Sequence, residues 1–162
     1  MKRPNRTLPV LAMLVTVGLM APAAGWAQQL VTADPPERVL AIAQNYGEAR
    51  MDTDSQGNPM IIGTISGIHY FGFFYGCDGK GGAGCDSLQL RASWTVGVVS
   101  LQTVNEWNRT RRFGKAYLED DGDVVLEMEV NLDFGVTYEN LNDTFDWWRI
   151  GITEFAEFLR DR

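Results

Sequence analysis

The residues of this sequence with the most reactive side chains are its two cysteines, Cys77 and Cys85, which enclose a glycine-rich loop. In an exported protein, two cysteines at the ends of a hairpin loop typically form a disulfide. The alternatives are a redox site or a metal site. Redox pairs favour CxxC spacing, and metal sites need more ligands than two thiols. The spacing therefore favours a structural disulfide.

Two other motifs resemble ligand-binding loops without meeting their requirements. Lys80, between the cysteines, is followed by neither Ser nor Thr, and the spacing of a phosphate-binding loop is missing. Residues 119–123 read Glu-Asp-Asp-Gly-Asp, but predicted strands flank them, whereas helices flank a calcium-binding EF-hand loop. We therefore predict a solvated hairpin turn at residues 119–123, and no metal or cofactor.

Catalytic residues are equally hard to assign. His69 is the single histidine, so any Ser-His-Asp or Cys-His mechanism must use it. It begins an apolar strand that has no nucleophile elbow. The 21 acidic residues leave a carboxylate-dependent hydrolase open as the alternative function, but their spacing selects no pair. The prediction is a protein without catalytic residues.

The first 27 residues have the three parts of a secretory signal peptide. Basic residues open the segment, an apolar run covers residues 8–20, and Gly25 and Ala27 supply the small residues at the cleavage site. The run is shorter than the roughly 20 residues that span a membrane, so we expect no anchor after cleavage. The sequence predicts a single domain, residues 28–162, that is located in the periplasm or secreted.

The charge of the chain restricts its partners. The sequence has 14 basic and 21 acidic residues and a net charge of −7. Loss of the leader, which contains three basic and no acidic residues, makes the mature chain more negative still. Such a chain is repelled by phosphate backbones and anionic lipids. We therefore expect no nucleic-acid binding, and we expect the partner to be a protein.

The first helix is predicted a few residues after the leader. Asp34 is interpreted as its N-cap and Pro35 as its first helical residue. Val39, Ile42 and Tyr46 form its apolar face, and Gly47 is a typical glycine stop.

From residue 48 to residue 95 the apolar residues follow a period of two, which is typical of strands. The predicted strands comprise residues 48–53, 60–65, 69–76 and 87–95, with a tight turn at Ser66-Gly67. Five aromatic residues within residues 70–75 exceed what one buried face accommodates. Both faces of that strand are therefore expected to be covered, as in the centre of a sheet.

A second helix is predicted from Ser100, its N-cap, to about residue 112, with Leu101, Val104 and Trp107 as its apolar stripe. Asn108 and Arg111 point toward the same stripe. Polar groups placed there need partners, because burying them unpaired is costly. Arg111 either reaches a carboxylate of the sheet or extends outward from the helix end.

A hairpin and a long helix complete the pattern. Asp121-Gly122 is a strong hairpin turn between a strand at residues 115–119 and a return strand whose apolar residues alternate with Glu127, Glu129 and Asn131. One face of that return strand is therefore expected to be buried and the other wet.

The last helix is predicted from Thr137, its N-cap, to about residue 159. Six of its apolar residues fall on one narrow stripe, at spacings of three and four: Leu141, Phe145, Trp148, Ile152, Phe155 and Leu159. Trp147 and Phe158 flank that stripe, and Ile150 lies on the polar face. They either pack under the sheet edge or form a partner-binding surface for a client or a second copy. Our hypothesis is that these three residues form a partner-binding surface, and the partner it binds can be a second copy in a homodimer.

Five short segments, in their order and spacing, resemble the YbjN family of bacterial proteins. They are Asp54-Ser55-Gln56-Gly57-Asn58-Pro59, Asn105-Glu106-Trp107-Asn108, Arg112-Phe113-Gly114-Lys115-Ala116-Tyr117-Leu118, Asp121-Gly122 and Asp143-Thr144-Phe145-Asp146-Trp147-Trp148. The resemblance implies an α+β fold, an antiparallel sheet with three helices, similar to the chaperones of type III secretion systems. It implies a sensory-transduction regulator and supplies no catalytic residues. Unlike the cytoplasmic members, this chain carries a signal peptide. We therefore predict an exported, non-catalytic regulatory or chaperone-like protein-binding module.

Overall fold

The computed structural model describes residues 30–79 and 83–162. The predicted signal peptide, residues 1–27, lies outside the described residues. The described residues form three helices, α1 (Glu37–Ala43), α2 (Leu101–Thr110) and α3 (Tyr138–Arg160). They also form six strands: β1 (Glu48–Thr53), β2 (Pro59–Ile65), β3 (Ile68–Tyr75), β4 (Ser87–Trp94), β5 (Lys115–Leu118) and β6 (Val124–Asn131).

The six strands make one antiparallel sheet in the order β1-β2-β3-β4-β6-β5. The first four follow each other as a meander. The chain then leaves the sheet through α2 and returns as the β5–β6 hairpin, whose second strand pairs with β4. This architecture confirms the predicted α+β class, with an antiparallel sheet and three helices.

The core lies between one face of the sheet and the helices. All six residues of the predicted α3 stripe are buried. Trp148 meets the ring of Tyr70 from β3 edge-on at 6.2 Å, and Phe155 meets Trp94 from β4 at 5.1 Å and Trp107 from α2 at 4.7 Å. The stripe therefore packs across the centre of the sheet and against α2.

The opposite face of the sheet, here called the outer face, is not covered by any described helix. Tyr70 and Phe74 of β3 are buried in the core, whereas Phe71 and Tyr75, which point the other way, are 36% and 45% exposed. The expectation that both faces of β3 are covered was wrong. The rings of Phe71 and Phe73 stack at 5.7 Å, so the aromatic residues of this face partly shield one another.

The N-cap residues predicted for α2 and α3 are confirmed, and the one predicted for α1 is not. The hydroxyl oxygens of Ser100 and Thr137 accept hydrogen bonds from backbone N–H groups in the first turns of α2 and α3. α1 begins after Pro36 without a side-chain cap, so the assignment of Asp34 as N-cap and Pro35 as first helical residue was wrong. The Asp34 carboxylate instead accepts a hydrogen bond of 3.0 Å from the backbone N–H of Gly84.

Two further expectations fail locally. Leu101 at the start of α2 is 68% exposed, although Val104 and Trp107 are buried as predicted. Glu127, expected on the wet face of β6, is only 7% exposed. It lies on the outer face beneath Tyr117, whose hydroxyl donates to its carboxylate, and 3.2 Å from the Lys115 amine.

Both edges of the sheet are partly closed by amide side chains. The Gln44 amide donates to the Ala49 carbonyl of β1 at 3.1 Å. At the other edge, the Asn108 amide donates to the Ala116 carbonyl of β5 at 2.9 Å and accepts from the Ala116 N–H at 2.8 Å. These bonds occupy groups that an edge strand otherwise leaves open to another chain. Within the described part of the chain, no helix has the length and apolarity needed to cross a membrane.

Candidate functional site

A groove of about 410 Å³ lies where the C-terminal end of α2 and the turn after it meet the middle of α3. Its apolar lining comes from Trp107 of α2, Phe113 of the turn, and Trp147 and Ile150 of α3. Its polar lining comes from Thr110, Arg111, Arg112 and Glu154. We call this the aromatic groove. Its volume is at the lower end of the range for small-molecule pockets, so it accommodates one or two side chains.

The centre of the aromatic groove is an exposed pair of rings. Phe113 and Trp147 lie 4.5 Å apart between ring centroids, with planes inclined by 30°. They are 39% and 40% exposed, while Trp107 beneath them is 1% exposed. Contiguous exposed aromatic surface with a buried aromatic base is typical of a contact site for another molecule.

Two guanidinium groups border this aromatic surface. The Arg111 group lies 5.3 Å from the centroid of Trp107, and the Arg112 group lies 5.8 Å from that of Phe113, both within cation–π range. Arg111 also pairs with Glu154 of α3 at 3.2 Å. Its partner is therefore a carboxylate of the last helix rather than of the sheet.

The position of the aromatic groove depends on the short connection from α2 to β5. Asn108 ties the last turn of α2 to Ala116 through its two hydrogen bonds, which is the partner that the sequence pattern required. Gly114 adopts φ +81°, and a Cβ there would lie 3.1 Å from Leu126 and 3.3 Å from the Glu127 carbonyl oxygen. Because glycine fits this left-handed position without strain, the chain can reverse direction and place Phe113 against α3.

The structure brings together two of the three residues that the sequence hypothesis assigned to a partner-binding surface. Trp147 and Ile150 line the aromatic groove. Phe158 does not line it. Its ring lies 5.4 Å from Trp107 and is covered by the Arg162 guanidinium at 4.5 Å, so it packs beside the core two turns further along α3.

Phe113 and Arg112 line the aromatic groove but were not among the predicted site residues. The signal for them in the sequence is the run Arg109-Thr110-Arg111-Arg112-Phe113, a basic segment with an aromatic residue in an acidic chain. The run begins in the last turn of α2 and continues past its end at Thr110, so the contact of Phe113 with α3 depends on the turn at Gly114.

Cys77 and Cys85 are bonded to each other, with an S–S distance of 2.08 Å. The loop that they close is held to the segment before α1 by the hydrogen bond from Gly84 to Asp34. The pairing is the one that the sequence predicted. Across residues 30–79 and 83–162, no group of three or more His, Cys, Asp and Glu side chains is arranged to hold a metal ion.

A second polar cluster lies on the outer face and is internally paired. Burial and the hydrogen bond to Glu127 raise the pKa of Tyr117 to about 12. Nearby, the Arg91 guanidinium contacts the Glu119 carboxylate at 2.6 Å. Each carboxylate of this cluster therefore has a cation or a hydroxyl donor as its partner, which suits a structural network better than acid–base catalysis.

Comparison with known proteins yields one family. A family model described as "YbjN: Putative bacterial sensory transduction regulator" matches residues 35–161, most of the chain. No curated protein matches the sequence.

Proposed function

The chain belongs to the YbjN family, and from this premise we propose that it is an exported regulatory protein that acts by binding another polypeptide in the aromatic groove. The observation that carries the proposal is the stacked, exposed pair formed by Phe113 and Trp147. Aromatic rings at the centre of an interface contribute large contact area at low entropic cost and are frequent hot spots of binding.

The family assignment and the aromatic groove support each other. The family is described as one of regulators, and regulators commonly act through contacts with other proteins. Four residues from the segments that resemble the family line the aromatic groove: Trp107, Arg112, Phe113 and Trp147. Two of these segments are neighbours in the sequence, and the segment that contains Trp147 comes much later but meets them at this surface.

Export to the periplasm or the medium is the second part of the proposal. It is supported by the signal-peptide pattern of residues 1–27 and by the disulfide between Cys77 and Cys85, since disulfides persist in oxidising compartments. In that setting the aromatic groove serves either a regulatory partner or, in a chaperone-like manner, a client polypeptide. The net negative charge of the whole protein discourages indiscriminate aggregation through the exposed rings.

The lining of the aromatic groove favours binding over the carboxylate-dependent hydrolase that the sequence left open. Such a hydrolase needs two carboxylates that face each other across the substrate. The lining contains one, Glu154, and it is paired with Arg111.

The test compares two aromatic residues of similar exposure on different surfaces. Trp147 in the aromatic groove is 40% exposed, and Tyr75 on the outer face is 45% exposed. We expect Trp147→Ser to abolish the capture of partner polypeptides from a periplasmic fraction, and Tyr75→Ser to leave it unchanged. Circular dichroism and urea melts of both variants establish that they are folded. Capture by folded Trp147→Ser at the level of the unaltered protein would refute the proposal.

A further inference from the structure

The basic residues of this acidic protein are concentrated beside the aromatic groove. Arg109, Arg111, Arg112 and Lys115 fall within seven consecutive residues of a chain with a net charge of −7. This segment includes the end of α2, and its residues 110–113 form one wall of the aromatic groove. The local charge of the wall is therefore opposite to that of the molecule as a whole.

Much of this positive charge is available to a partner. Arg112 has no Asp or Glu at ion-pair distance among the described residues. Arg111 pairs with Glu154, but their side chains are 45% and 49% exposed, so solvent weakens the pair and a second carboxylate can share or replace it. Among the described residues, the aromatic groove thus presents one guanidinium without an ion pair, that of Arg112, and one weakly paired guanidinium, that of Arg111.

Arg112 also lines a neighbouring pocket of about 370 Å³, which includes Lys115 of β5. The two pockets meet at Arg112 and Phe113. Glu127, which pairs with Lys115 at 3.2 Å, and Glu129 also line the neighbouring pocket. Arg112 is therefore the cation that a segment bound in the aromatic groove meets on the side toward β5. A guanidinium binds a carboxylate through two parallel hydrogen bonds, which gives orientation as well as affinity.

We propose that the aromatic groove binds an acidic polypeptide segment, with one large apolar side chain against Phe113 and Trp147 and neighbouring carboxylates on Arg111 and Arg112. This inference rests on the proposed function and specifies the chemistry of the partner. The net negative charge of the protein does not prevent such binding. At physiological ionic strength the Debye length is about 8 Å, so the contact is governed by the charges lining the aromatic groove.

The test uses three fluorescein-labelled dodecapeptides of defined design in fluorescence anisotropy. The first has a Leu-Trp pair between flanks of Asp and Glu, the second has the same pair between flanks of Lys, and the third keeps the acidic flanks and replaces the pair with Ser-Ser. We expect the first to bind at least about tenfold more tightly than either of the others. We also expect its affinity to fall as salt rises from about 50 to 200 mM.

Two charge reversals in the same segment separate local contact from overall charge. Arg112→Glu should lower affinity for the acidic apolar peptide by about tenfold or more and reverse the preference toward the basic peptide. Arg109→Glu makes the same change of charge three residues away, at a residue that does not line the aromatic groove, and should have a much smaller effect. Urea melts establish that both variants are folded.

Three results would overturn the inference: equal binding of the acidic and basic peptides, equal loss in both reversals, or tighter binding of a twelve-nucleotide oligodeoxythymidine than of the acidic peptide. Sedimentation of the protein without peptide tests whether a second copy occupies the aromatic groove. Self-association that is lost in Trp147→Ser would identify the second copy as the occupant and would also overturn the inference. If the peptides fail while partner capture still depends on Trp147, the chemistry assigned to the partner is wrong and the proposed function stands.

Discussion

Replacing Asn108 tests how the aromatic groove is built, because this one side chain joins α2 to the edge strand β5. Its amide forms two hydrogen bonds with Ala116, of 2.9 and 2.8 Å. An intramolecular hydrogen bond contributes about 1 kcal/mol net to stability. The two bonds together therefore contribute about 2 kcal/mol. Asn105 provides a matched control, since it has the same side chain on the same helix and is exposed.

Both substitutions to Ala gain the same helix propensity, so the difference between them isolates the two hydrogen bonds. We expect the free energy of unfolding of Asn108→Ala, from urea melts, to be about 2 kcal/mol below that of Asn105→Ala. Amide hydrogen exchange at Ala116 should accelerate in the first variant, because its N–H loses its acceptor. Equal stabilities, with equal exchange at Ala116, would refute the assignment of Asn108 as the link between α2 and β5.

Three further predictions concern the core, the disulfide and pH. Trp148→Ala should lower the free energy of unfolding by about 3–5 kcal/mol, and Asp143→Ala on the exposed side of α3 by less than about 0.5 kcal/mol; similar losses in urea melts would mean that α3 is rotated about its axis. Replacing Cys77 and Cys85 with Ser should lower the free energy of unfolding by about 2.5 kcal/mol, the chain-entropy value for a nine-residue loop. An unchanged midpoint in urea melts would contradict this prediction. The raised pKa of Tyr117 means that folding favours the neutral phenol, so its contribution to stability is complete below about pH 10 and is lost as pH rises toward 12. Near-ultraviolet absorbance titrations of the native protein and of Tyr117→Phe should differ by one phenol with a midpoint of about 12, and a midpoint near 10 would contradict the burial of that group.

Helical periodicity in the sequence predicted most of the core residues that the helices contribute. The buried stripe of α3 follows from spacings of three and four, because these spacings place all six residues on one side of the helix, and that side is buried. The caps at Ser100 and Thr137 follow from local hydrogen bonding, which needs only the next three residues. Such features depend on residues within a turn of one another, so they can be predicted from the sequence alone.

The predictions from sequence fail where a side chain is bound or covered by residues from another segment of the chain. Asp34 has the side chain of an N-cap, but its carboxylate binds Gly84 in the disulfide-closed loop. The alternation along β6 predicts that Glu127 is exposed, but Tyr117 and Lys115 from the neighbouring strand cover its side chain. On β3, the density of aromatic residues reflects the preference of strands for such side chains and does not require cover on both faces.

The candidate site was predictable in part. Trp147 beside the buried stripe and Ile150 on the polar face indicated a surface of α3 with unassigned contacts. Its other wall comes from Arg111, Arg112 and Phe113, more than thirty residues earlier in the chain. Their approach to α3 depends on the turn at Gly114 and on the hydrogen bonds of Asn108, which the sequence indicates only as a polar group that needs a partner.

Site-specific photo-crosslinking can show whether a polypeptide binds in the aromatic groove. A benzophenone-bearing phenylalanine analogue replaces Trp147 in one variant and Tyr75 of the outer face in another, and each is irradiated in the cells that produce the protein. We expect a covalent adduct with another polypeptide from position 147 and none from position 75. The adduct should disappear when Phe113→Ser is added to the same chain. An adduct from position 75 with none from position 147 would place the binding surface on the outer face and not in the aromatic groove.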